Sequence, residues 1–380
     1  MNAADPVSGR SLLDRAAQLV AIGSVSRDEA AIAAHVESLL RAAGLAVERI
    51  GDNVVARTQR GARRRAVLAG HLDTVPPSGN ADVHIDGDVL WGLGATDMKG
   101  GLAILCDLAM GAAASPDRLP GGSTGEARDV QWDLTVIFYA REEVDRGESG
   151  LAEVARVRPE LVTADAAILL EPTGGRVEAG CQGTMRARVT VGGLAAHTAR
   201  PWEGRNAIHR LADVVDLVRR YEGRRPVIEG CAYRESLQAV RIAGGVANNV
   251  VPDEASVVVN HRFAPDRSIA DARAHLDEVF GPLLDASAHM DGGTIDVEDS
   301  APGAPPRLDE PVIAALVRAS GQPARAKLGW TDVAFFAERG MPAVNFGPGD
   351  PDLAHTPREH VTSADLGQVR SVLGELLGIA

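Results

Sequence analysis

The first half of the chain alternates between two hydrophobic rhythms. SLLDRAAQLVA (11–21) and DEAAIAAHVESLLRAAG (28–44) place apolar residues at helical spacing, and Gly44 supplies a C-terminal stop. AVLAG (66–70), LTVIFYA (134–140) and AAILLE (166–171) are short unbroken apolar runs, the pattern of strands buried on both faces. A helix is predicted from near Asp97 through GGLAILCDLAMGAA. The stretch 115–133 is polar and rich in Gly and Pro and reads as a surface loop. From about residue 182 the rhythm changes. TMRARVTVGG alternates like a half-exposed strand, a helix follows over 206–221, and SLQAVRIAG and ASVVVNHRF read as strands. SIADARAHLDEVFG reads as a helix and TIDVED as a closing strand. This order predicts a small α+β sandwich inserted into a larger α/β domain. After about residue 295 the α/β style returns, with EPVIAALVRAS, TDVAFFAERG and the C-terminal segment as helices and PARAKLG and PAVNFG as strands. The expected organisation is a discontinuous domain, 1–181 and 295–380, interrupted by 182–294.

Composition narrows the class. A 380-residue chain that is 45% hydrophobic is long enough for such a core, and with only 3% aromatics Leu, Val, Ile and Ala must build it. The net charge of −13 disfavours nucleic acid and anionic membrane as partners. No apolar run has transmembrane length, and MNAADPVSGR lacks a signal-peptide core, so a cytoplasmic protein is expected. Cys106, Cys181 and Cys231 are odd in number and far apart, which suits buried thiols and no disulfide framework.

Candidate chemistry gathers where predicted strands end. His71 and Asp73 follow AVLAG in GHLDTVPP. Asp97 lies in the glycine-rich WGLGATDMKGG, Glu142 and Glu143 follow LTVIFYA, Glu171 ends AAILLE, and His355 lies in DLAHTPREH after PAVNFG. Each alone has a plainer reading: Asp97 fits a helix N-cap, the glutamate doublet a solvated loop, and His355 a loop histidine. Together they matter because the loops at one end of a parallel sheet converge on one rim. Imidazole and carboxylate donors without cysteine suit a catalytic zinc centre. Two divalent ions sharing a carboxylate can clamp a water and polarise an amide carbonyl, with a glutamate taking the proton. The doublet offers one residue for each task, base and ligand, and Asp73 can orient the His71 ring.

GHLDTVP, GATDMKGG, the EE doublet, the EPT glutamate and the AHT histidine, in this order, resemble the di-zinc aminoacylase/carboxypeptidase family across nearly the whole chain. The resemblance implies a zinc-dependent exopeptidase-like catalytic domain with a mainly parallel central sheet, interrupted by a ferredoxin-like lid that commonly dimerises. It implies two Zn2+, with Co2+ as a possible substitute. His71 and Glu171 would bind one ion and Glu143 and His355 the other, with Asp97 between them, Glu142 as general base and Asp73 supporting His71. It also implies a small acylated amino acid as substrate and a homodimer through the lid. EAGCQGTMRA, AHTARPWEGRNAIHR, LGWTDVAFFAERGMPAVNFGPGDP and LAHTPREH resemble the family's actinobacterial desuccinylase branch.

By the same resemblance His197 would reach a neighbouring subunit's active site and bind substrate or oxyanion there, while Asn249, Arg262 and Thr331 would hold the substrate's carbonyl or carboxylate. Arginine suits a carboxylate because its planar fork bonds both oxygens. A loop histidine, a surface ion pair for Arg262 and a helix N-cap at Thr331 are the plainer alternatives. The chain departs from the family pattern at Leu93, at Arg141 and in the length of 115–133, which bears on substrate choice. GGSTG (121–125) fits the spacing of a serine nucleophile elbow but lacks the flanking strand and helix. Rival functions are another acyl-amino-acid hydrolase or carboxypeptidase of the family, acetylornithine deacetylase among them, and an inactive binding or scaffold relative.

Overall fold

The computed structural model describes residues 9–114, 132–285 and 292–379. The GGSTG motif, and all of the expected loop except 132–133, lie outside the described residues. Trp132 and Asp133 open a strand that runs to Tyr139. The chain forms two compact units: Met1–Ala179 with Arg307–Arg325 and Phe335–Ala380, and Gly180–Pro306 with Ala326–Ala334.

The first unit carries the α/β part. Among the described residues one sheet has eight strands, in the order Ala46–Ile50, Asn53–Arg57, Trp132–Tyr139, Arg64–His71, Ala166–Leu169, Ala343–Asn345, Glu178–Cys181 and Arg325–Lys327, the first six of them wholly in this unit. The four strands in the middle are mutually parallel. Antiparallel strands flank them: Asn53–Arg57 pairs with Trp132–Tyr139, and Glu178–Cys181 with Ala343–Asn345. Trp132–Tyr139 is buried at every position, as an unbroken apolar run predicts. The helix Gly100–Ala114 is buried on nearly all sides, which fits its lack of a polar face. Its second residue must be glycine, because a Cβ on Gly101 would lie 2.5 Å from the Leu170 carbonyl oxygen. Among the described residues no helix is long and apolar enough to cross a membrane. The three cysteines are buried and form no disulfide.

The second unit holds a four-stranded antiparallel sheet, ordered Ser236–Gly244, Glu254–Phe263, Gly183–Gly192 and Gly293–Ala301. Gly183–Gly192 alternates buried and half-buried positions along its whole length, as its sequence predicts. Two helices, Ala207–Arg220 and Ile269–Leu284, cover one face with Leu211, Val214, Leu276 and Phe280. Asn206 caps the first by accepting the N–H groups of Ile208 and His209, and Ser268 with Asp271 forms a capping box on the second.

Candidate metal centre

The four parallel strands deliver the candidate residues to one end of the sheet. His71 is the last residue of Arg64–His71. Glu142 and Glu143 follow the neighbouring strand Trp132–Tyr139, and Glu171 lies two residues beyond Ala166–Leu169 on the other side. His355 comes from the loop after Ala343–Asn345. Adjacent strands sit about 4.8 Å apart, so side chains from three or four strand ends can share one site.

Asp97 reaches that site from the glycine-rich turn that enters a helix. It is not a helix N-cap. Its backbone is extended (φ −120°, ψ 94°) within the turn Ala95–Lys99, and the regular helix begins at Gly100. The turn projects the carboxylate between two histidines. Asp97 Oδ1 lies 3.0 Å from His71 Nε2, and Oδ2 lies 3.4 Å from His355 Nε2. His355 Nε2 also lies 2.7 Å from Glu143 Oε1. Three groups of donor atoms converge within 4.8 Å: His71, Asp97 and Glu171; Asp97, Glu143 and His355; and His71 with Glu142 and Glu143. The first two groups share Asp97. Two imidazoles amid four carboxylates is a donor set that fits divalent cations, since the acids otherwise repel one another at this range.

The electrostatics follow from the contacts. Burial pushes the His71 imidazolium down, but the Asp73 and Asp97 carboxylates outweigh it and hold its pKa well above the ordinary range. Asp97 and Glu143 raise His355 to about 10. Burial would raise Asp97, yet the His355 and His71 rings hold it far below the usual carboxylate range.

Asp73 does more than the sequence reading gave it. His71 Nδ1 bonds the Asp73 backbone carbonyl at 3.0 Å, while the carboxylate stands off at 3.6 Å. The carboxylate accepts the backbone N–H of Glu142 on Oδ1 and that of Glu143 on Oδ2, each at 3.0 Å, and the Ser26 hydroxyl at 2.7 Å. Burial works against the charge, but the His71 ring and these donors hold its pKa at about 2. The preceding N–H, of Arg141, goes to Glu29 Oε1 at 3.1 Å. Two buried carboxylates thus hang three successive amides of the glutamate loop.

Glu29, Ser26 and Lys99 were not foreseen. Lys99 is buried, with Nζ donating to the Ile22 carbonyl at 2.7 Å. Glu29 sits just before a helix, where sequence alone reads it as an ordinary first-turn acid.

His197, Asn249, Arg262 and Thr331 belong to the second unit. His197 is exposed on the short strand Ala196–His197, which pairs with Val250–Val251, so the neighbouring Thr198 N–H reaches the Asn249 carbonyl at 3.1 Å. Its Nδ1 accepts the Ala199 N–H at 3.0 Å, which leaves Nε2 as a donor. Arg262 lies on Glu254–Phe263 between Ser236 and Thr184 of its neighbours. Burial lowers its pKa. Thr331 is buried, and its carbonyl accepts the Ala334 N–H. The helix that follows is short, Val333–Ala337.

The model of peptidase family M20/M25/M40 matches residues 67–378. The chain is 47% identical over 370 residues to a Mycobacterium tuberculosis protein provisionally named succinyl-diaminopimelate desuccinylase DapE, covering 96% of this chain and 98% of that one. It is 41% identical over 364 residues to succinyl-diaminopimelate desuccinylase of Corynebacterium glutamicum, covering 95% and 94%. Among solved structures, the YXEP protein of Bacillus subtilis, described as a dinuclear metal binding peptidase of the M20 family, superposes with a TM-score of 0.71 at 14% identity over 98% of each chain. The chain belongs to peptidase family M20/M25/M40.

Proposed function

We propose that the chain is a di-zinc amidohydrolase that cleaves N-succinyl-LL-2,6-diaminopimelate to succinate and LL-2,6-diaminopimelate. The observation that carries the reading is the pair of donor groups sharing Asp97, one with His71 and Glu171, the other with Glu143 and His355. The substrate is taken from the names of the mycobacterial and corynebacterial relatives. When bound, the two ions, zinc or cobalt in its place, polarise the amide carbonyl and acidify a water. Glu142 accepts the proton of that water at its carboxylate and returns it to the departing nitrogen as the C–N bond breaks. Asp73 fixes Glu142 and Glu143 by their main chain while its carbonyl orients His71. His197 Nε2 and Asn249 donate to the carbonyl oxygen, and Arg262 with Thr331 receives a substrate carboxylate.

The chain acts, in this reading, as a cytoplasmic homodimer joined through the second unit. In support, Ser236–Gly244 ends the sheet order, with Val240 56% and Ile242 63% exposed. An open apolar edge of this kind is normally covered. The reading is tested by supplying succinylated, acetylated and peptide substrates to the zinc-loaded protein. Preferred release of succinate from the succinylated compound supports it. Faster cleavage of an acetylated amino acid or a dipeptide replaces the substrate, and no cleavage of any of them ends the hydrolase reading.

A further inference from the structure

We infer that Glu359 is a positioning residue that fixes Asp97 against His355, an inference that rests on the two-metal reading above. Glu359 is 1% exposed, and the buried Lys99 ammonium is close enough to feel its charge without being among its hydrogen-bond partners. Its partners are all hydrogen-bond donors. Oε1 accepts the backbone N–H of Thr96 at 3.2 Å and that of Asp97 at 3.1 Å. Oε2 accepts the Asn80 carboxamide at 3.2 Å, and the same Asn80 nitrogen donates to the Thr356 carbonyl at 3.2 Å. Burying a carboxylate is costly, and the three donors reduce that cost. A carboxylate is the side chain that offers acceptors at both ends of its fork.

The placement of those bonds gives them a purpose. The extended backbone of Asp97 leaves its N–H outside any helical ladder, and Glu359 takes it up. Glu359 is four residues beyond His355 in the same loop. Around it, Gly92 N–H donates to the Glu359 carbonyl at 3.3 Å and the Thr96 hydroxyl donates to the His360 carbonyl. The turn that presents Asp97 and the loop that presents His355 are therefore joined behind the donor atoms. The 3.4 Å approach of Asp97 Oδ2 to His355 Nε2 depends on that join.

The test separates reach from charge. Glu359→Gln keeps an oxygen where the two amides need it and gives up the bond to Asn80. Glu359→Asp keeps the charge but draws it back by one methylene. Zinc affinity is measured on metal-stripped protein by chelator competition, with cobalt(II) absorption as a second readout and far-UV circular dichroism as the check on folding. Glu359→Gln is expected to hold both ions within a few-fold of wild type, and Glu359→Asp to lose about 10- to 100-fold for at least one ion. Wild-type affinity in Glu359→Asp, or an equal loss in both variants, overturns the inference. If Glu359→Asp does not fold, Glu359→Met, which fills the space but accepts no amide, takes its place: weakened binding supports the link and unchanged binding overturns it. A wild-type protein that takes up fewer than two ions ends the two-metal reading itself. Two ions in wild type with wild-type affinity in Glu359→Asp remove Glu359 alone.

Discussion

The Asp73 carboxylate accepts the main-chain N–H of Glu142 at 3.0 Å, and its other oxygen does the same for Glu143. The proposed base and a proposed ligand are therefore placed by their backbone from a buried acid some seventy positions earlier. Asp73→Asn puts an amide donor against one of those N–H groups. The expected result is a fall in kcat of about 100-fold or more, because misplacing a catalytic group by an ångström costs that much. If Asp73 only orients His71, zinc affinity falls instead and kcat at saturating zinc is retained. Steady-state kinetics over a zinc titration distinguishes the two.

Glu142→Gln keeps the shape of the proposed base and removes its basicity. Both ions are expected to remain, with turnover reduced about 100- to 10,000-fold, the range that general-base catalysis supplies. Metal analysis alongside the hydrolysis rate checks this, and near-wild-type turnover removes Glu142 from the role.

His261 makes the second unit sensitive to acid. It lies on Glu254–Phe263 between Val259 and Phe263, in a row otherwise apolar, and neither ring nitrogen has a protein hydrogen-bond partner. The ring of His275, from the helix Ile269–Leu284, lies beside it, with Glu235, Arg267 and Arg224 near enough to act on its charge. Burial first, then the charge of His275, lowers its pKa from 6.5 to about 4, with Arg267 and Arg224 adding and Glu235 opposing. The unfolded chain therefore takes up this proton at a higher pH than the folded one. Stability is intact above about pH 6.5 and declines as pH falls toward 4, by about 3 kcal/mol in all at 1.4 kcal/mol per unit. Urea unfolding of wild type and His261→Leu at pH 7, 6 and 5 should show the gap between them widening in the variant's favour as pH drops. A gap that stays constant assigns the acid sensitivity elsewhere.

Much of the candidate centre was legible because four parallel strands end together. Once AVLAG, LTVIFYA, AAILLE and PAVNFG are read as buried strands, the residues after each are bound for one rim. Asp97 was read at a glycine-rich turn entering a helix, and that turn is there; the helix itself starts three residues later than expected, at Gly100. The hairpin Ala46–Ile50 and Asn53–Arg57 escaped because AVERI mixes charges into an edge strand and both strands are only five residues long. The segment TDVAFFAERG read as a ten-residue helix but forms only Val333–Ala337. Glu29 and Glu359 left no pattern to read. The bonds that tie them to the site go to backbone amides more than a hundred positions away, and an amide has the same chemistry in every residue.

The central claim is that Asp97 stands between two metal ions. Crystals of the protein grown with zinc, with anomalous diffraction collected at the zinc edge, test it most directly. The account predicts two peaks flanking the Asp97 carboxylate, one also touching His71 and Glu171, the other Glu143 and His355. A single peak, or zinc bound away from Asp97, contradicts it.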